Sequence, residues 1–147
     1  MGSLAHRLAP GGAALPSSGH HVLDDDHRLL LELATRFTEA AHADNQPRAI
    51  IIFEALLTAV QAHFKREEWC LGAVLDPDLA EHRRLHEEVM AQLLTVRAES
   101  FLLLRCWPAH AVDLVAGLLR RSCFHDRGLL ARAKPSALSP LLVASPL

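Results

Sequence analysis

Two pairs of side chains set the strongest constraint on this chain: His63 with Glu67, and His82 with His86. Each pair has i, i+4 spacing, which on a helix places both side chains on one face, one turn apart. Both pairs also fall within apolar stripes. Steps of three and four residues through the first pair give Ala49, Phe53, Leu56, Val60, His63, Glu67 and Cys70. The same steps through the second give Leu79, His82, His86, Val89, Leu93, Val96, Ser100 and Leu103. These are bundle seams with polar groups set into them. An imidazole or carboxylate on a buried face needs a partner, and one isolated histidine is readily satisfied by a hydrogen bond. Three histidines set at helical spacing in two pairs that include a carboxylate are more simply explained by a metal held in a helical bundle.

A chain of 147 residues, half of them hydrophobic, is long enough to bury the core of one domain. Its formal net charge of −2 gives no nucleic-acid footprint. No segment reaches the ~20 apolar residues of a membrane span, so no membrane partner is expected. The three cysteines, Cys70, Cys106 and Cys123, are an odd number and are widely spaced. Free thiols and a cytoplasmic location are therefore expected. Residues 1–20 are rich in Gly, Ala, Pro and Ser and read as a flexible leader. At the other end, residues 133–147 contain three prolines and read as a flexible tail.

The intervening residues, 21–132, read as an all-α, up-down-up-down four-helix bundle. The first helix, about 22–42, carries the stripe Leu23, His27, Leu30, Ala34, Phe37 and Ala41. The run Asp24-Asp25-Asp26 at its head is read as N-terminal capping alone. The second helix starts at Pro47 and is expected to stop after Leu71, at Gly72. The third has no Gly or Pro between Pro77 and Pro108 and is expected to reach about Arg105. If the chain turns near Trp107-Pro108, the residues facing His82 and His86 lie between about 121 and 130, because both helices rise ~1.5 Å per residue. His110 is then too near the turn to be a ligand. On the fourth helix Val112, Val115, Leu119, Ser122, Asp126 and Leu129 form a seam. The candidate ligands are therefore His27, His63, Glu67, His82, His86 and Asp126, with His125 beside them. Nitrogen and carboxylate donors without thiolates suit iron, manganese or zinc, and this number suits two ions.

These motifs resemble those of the hemerythrin family, specifically the bacterial hemerythrin-like, HHE cation-binding proteins, over about residues 22–130. Asp24-Asp25-Asp26-His27 resembles the family's first element, His63-Phe64-Lys65-Arg66-Glu67-Glu68 its H-x-x-x-E, and His82-Arg83-Arg84-Leu85-His86 its H-x-x-x-H. Asp126-Arg127 resembles the end of the fourth element, H-x-x-x-x-D, but Arg121 stands where that histidine would be and Gly117 where a tryptophan would be. The resemblance implies a di-iron centre bridged by Glu67, Asp126 and a solvent oxygen. It also implies His82 and His86 on one iron, and His27 and His63 on the other. A guanidinium offers no lone pair, so Arg121 cannot substitute as a ligand. It either extends to solvent or pairs with Glu67 and Asp126, while His125, one turn on, either replaces the absent histidine or stands beside the site.

The function implied is reversible binding of O2 or another small diatomic ligand, for oxygen carriage, storage or sensing. The alternative is a divergent bundle with an incomplete or mononuclear site, serving as a regulatory or interaction module or in iron or NO handling. No nucleophile and base stand apart from the metal ligands, so the chain is not expected to be an enzyme; peroxide or NO chemistry at an open di-iron position is a third, weaker alternative. No protein partner can be read from it.

Overall fold

A computed structural model describes residues 21–130, with side chains described as far as Cys123. The expected leader, and the chain from residue 131 onward that contains the expected tail, lie outside the described residues. Those described form four α-helices, and no strand occurs among them: α1 (His21–His42), α2 (Gln46–Ala73), α3 (Leu79–Val96) and α4 (Ala109–Leu130). α1 packs against α2 and α4, and α3 packs against α2 and, more sparsely, α4. This arrangement is compatible with a four-helix bundle. No helix among the described residues is long and apolar enough to cross a membrane.

The stripes of α1 and α2 are buried at every expected position, from Leu23 to Ala41 and from Ala49 to Cys70. Their main product is a core in which Phe37, Phe53 and Trp107 meet with ring centroids 4.8–5.2 Å apart. Those separations lie in the favourable range for tilted and edge-on aromatic pairs. A second, smaller apolar cluster of Leu23, Cys70 and Leu71 is joined by Leu79. On each helix the polar ligand positions fall between residues of the small cluster and residues of the main core. His27 lies between Leu23 and Leu30, and Glu67 between Phe64 and Cys70. The site is thus a polar layer between two dry ones.

Three local features depart from the sequence expectations. First, α2 runs through Gly72 to Ala73. The residue that leaves the helix is Leu75, with φ 54°, while Asp76 N–H donates to Leu71 O and Leu75 N–H to Gly72 O. That is the Schellman pattern, with leucine in the left-handed position where glycine is favoured. Leu75 is also 87% exposed, so its side chain returns little packing energy. Leu75→Gly is expected to raise stability by about 1 kcal/mol, because the steric cost of a left-handed Cβ outweighs the entropy glycine loses on folding. A rise in urea midpoint without a change in slope would register it, and a fall would contradict it.

Second, the helix expected to reach Arg105 is α-helical only to Val96 and winds as a π-helix from Arg97 to Leu103. A π turn takes more residues per turn than an α turn, so the seam loses its register there. Ser100 stays buried, Phe101 packs on the core, and Leu103, expected on the seam, is exposed. Third, the α4 seam after Leu119 continues to Cys123, which is buried, while Ser122 is only half-buried. Beyond this point side chains are not described, and the candidates His125 and Asp126 fall there. None of the three cysteines forms a disulfide, as expected.

Candidate metal centre

Five of the seven candidate ligands, His27, His63, Glu67, His82 and His86, converge in the polar layer, and all five are at least 95% buried. α2 supplies His63 and Glu67 from successive turns, α3 supplies His82 and His86, and α1 supplies His27. The centre of the group is the Glu67 carboxylate. Its Oε2 lies 2.9 Å from His82 Nε2, 3.2 Å from His86 Nε2 and 3.8 Å from His63 Nε2. Glu67, His82 and His86 each offer one donor atom, and these atoms all lie within 4.8 Å of one another. His27 packs edge-on against His63 with centroids 4.7 Å apart.

The short approaches to Glu67 are not hydrogen bonds. Both of its oxygens are inaccessible to solvent, and neither accepts a hydrogen bond of acceptable geometry among the described residues. A fully buried carboxylate left so would cost several kcal/mol unless a positive charge stood against it. Three imidazole nitrogens and one carboxylate oxygen converging without mutual hydrogen bonds fit a cation bound between them. The donor set is nitrogen and oxygen, which suits iron, manganese or zinc. Cys70, one turn beyond Glu67, does not add a thiolate. Burial, with the negative charge of Glu67 behind it, pushes its thiol up to about 11.

Two carboxylates that the sequence reading passed over hold the imidazoles from behind. His63 Nδ1 lies 3.2 Å from Asp26 Oδ2, and His86 Nδ1 lies 2.7 Å from Glu68 Oε1. A carboxylate that accepts from Nδ1–H fixes the tautomer, leaving the Nε2 lone pair to face the site. Asp26 is itself gripped by Arg66, whose Nε and Nη2 donate to its two oxygens at 2.9 and 2.6 Å. Capping alone therefore does not describe the Asp24-Asp25-Asp26 run: its last member bridges α1 to α2. The available signal was adjacency, since Asp26 precedes His27 and Glu68 follows Glu67, each about 100° round the helix from a ligand and so at the edge of the buried face.

Burial alone would raise the Asp26 carboxyl, but the hydrogen bonds and charges of His63 and Arg66 outweigh it and hold the group below the usual carboxylate range. A depressed folded-state value means that the folded protein binds this proton less readily than the unfolded chain does. The stability it brings is present in full above the unfolded value of about 4 and is lost as pH falls through the folded one. Asp26→Asn is therefore expected to lower the urea midpoint at pH 7, with the gap to the wild type narrowing below about pH 4. A gap that stayed constant across this range would show that the Asp26 charge contributes nothing.

The remaining positions are clear. His110 is exposed in the first turn of α4, as expected from its closeness to the turn. Arg121 is exposed and lines a cleft between α3 and α4 that has His86 on its inner wall. Of the two alternatives left open for Arg121, pairing with Glu67 is not seen: neither oxygen of Glu67 has a hydrogen-bond partner among the described residues. No protein-family model, curated protein or solved structure matches this chain.

Proposed function

We propose that the chain is a non-haem metal-binding protein of hemerythrin type, an up-down-up-down bundle that holds iron and binds O2 or another small diatomic ligand reversibly. The observation that carries this reading is the convergence of three imidazole Nε2 atoms on the buried carboxylate of Glu67. Glu67, His82 and His86 would hold one ion, and His63 and His27 would hold a second. Iron, when bound, would supply an open coordination position for the diatomic ligand. The residues of the chain do the rest: Asp26 and Glu68 orient the imidazoles, Arg66 fixes Asp26, and the apolar layers above and below exclude water.

One observation favours a second form of this reading, a single ion. The tight group consists of two histidines and one carboxylate, a donor set that by itself suits one Fe(II) with open positions. The ligand from α4 would decide between the forms, and Arg121 cannot be that ligand.

The test is iron content per chain, with the ultraviolet absorption of an oxygen-bridged iron pair, in protein expressed with added iron. Two irons with that absorption are expected for the paired centre, and one iron without it for the single-ion form. Protein that acquires no metal from iron-, manganese- or zinc-supplemented medium would overturn both. His110→Ala is the control, and its metal content is expected to match the wild type.

A further inference from the structure

The cleft between α3 and α4 carries an inference beyond the metal centre, although His86 of that centre stands on its inner wall. It encloses about 290 Å³. Leu85 and Val89 of α3 and Leu118 of α4 supply apolar wall, and Arg121 and Ser122 of α4, with His86 and Gln92 of α3, supply polar groups. Glu88, the one carboxylate among the described lining residues, is already held by Arg84. Arg121 makes no ion pair with any described residue, so the cleft presents a cation beside an apolar wall and has no described anion of its own to match it.

The local sequence is built to place that cation. The guanidinium of Arg121 folds back along α4 over Gly117, where a Cβ would stand only 3.2 Å from Nη1. Gly117 is buried within a helix, a position where glycine costs roughly 1 kcal/mol relative to alanine. Its lack of a side chain lets the guanidinium lie against the helix at the cleft instead of swinging clear of it. The planar guanidinium matches a carboxylate through two parallel hydrogen bonds.

We propose that this cleft is a binding site for a small monocarboxylate with a short unbranched apolar tail, its carboxylate on Arg121 and Ser122 and its tail on Leu85, Val89 and Leu118. The volume lies just below the range of drug-sized pockets and suits a chain of roughly four to six carbons. A larger acid would protrude, and a fully polar anion would leave the apolar wall uncovered.

The experiment is calorimetric titration of the full chain with hexanoate, with metal content and helical circular dichroism measured on every sample. One saturable site per chain is expected in the wild type, and hexylamine, which has the same tail and the opposite charge, should not bind. Arg121→Gln should weaken hexanoate at least roughly tenfold, Arg121→Lys should weaken it less, and Leu118→Trp should abolish it by filling the cleft. None of the three should alter metal content. The proposal falls if hexanoate shows no saturable binding to the wild type, if hexylamine binds equally well, or if Arg121→Gln binds like the wild type. Were Arg121→Gln to lose its helical signal, Arg121→Lys and the hexylamine comparison would decide the question. Because metal content is read on the same samples, failure here is distinguishable from failure of the metal reading.

Discussion

Glu67→Leu is expected to abolish metal binding while leaving the metal-depleted protein at least as stable as the wild type. The two halves of that result have different causes. Metal is lost because Oε2 of Glu67 is the atom on which His63, His82 and His86 converge, and leucine has no donor to replace it. Stability is kept because the carboxylate is fully buried and accepts no hydrogen bond of good geometry among the described residues. Exchanging a buried charge for an apolar group of similar volume is often neutral or stabilising by about 1–4 kcal/mol. Leucine would also join the apolar layers on either side. If Glu67 were instead a structural ion-pair partner, its removal would leave charged imidazoles buried, and the metal-free variant would lose about 3–5 kcal/mol. Metal content by elemental analysis, together with urea melts of chelator-treated protein, separates the two. A marked loss of stability with metal content unchanged would sink the metal reading.

Phe53→Ala should be the most damaging core substitution, costing about 3–5 kcal/mol. Phe53 is fully buried and touches both Phe37 and Trp107, so its removal opens a void among three rings that cannot easily collapse. Against a total stability of about 5–15 kcal/mol for an ordinary domain, that loss would move the thermal midpoint far down. Phe53 nevertheless lies more than two helical turns from His63 along α2, and the fraction that stays folded should bind metal at the wild-type stoichiometry. A loss below about 1 kcal/mol, read from urea melts, would mean that the aromatic cluster is looser than these centroid separations imply.

The first two helices and most of the ligand group follow from periodicity. Every stripe position on α1 and α2 is buried, and the five ligands named on α1, α2 and α3 share one layer. The reason is local. When an apolar stripe is wide and unbroken, a helix has only one face it can bury, and any polar residue on that face is carried inward with it. The sequence by itself therefore determined four helices, which face of α1 and α2 is covered, and that His27, His63, Glu67, His82 and His86 meet.

What lay at the edge of a stripe was decided only in three dimensions. Asp26 reaches His63 and Arg66 across separations of 37 and 40 residues, and Glu68 reaches His86 across 18. A boundary residue faces solvent or a neighbour according to how two helices cross and how long the side chain is, and neither is encoded in the spacing of one helix. The π turn at Arg97–Leu103 likewise trades local hydrogen-bond geometry for the fit of Phe101 and Trp107 to the core, so no local propensity announces it. On α4 the step from Leu119 to Cys123 rather than to Ser122 turns Ser122 toward the α3 cleft, where Arg121 also lies. Steps of three and four fit a helical stripe equally well, and only the packing of α4 against its neighbours chooses between them.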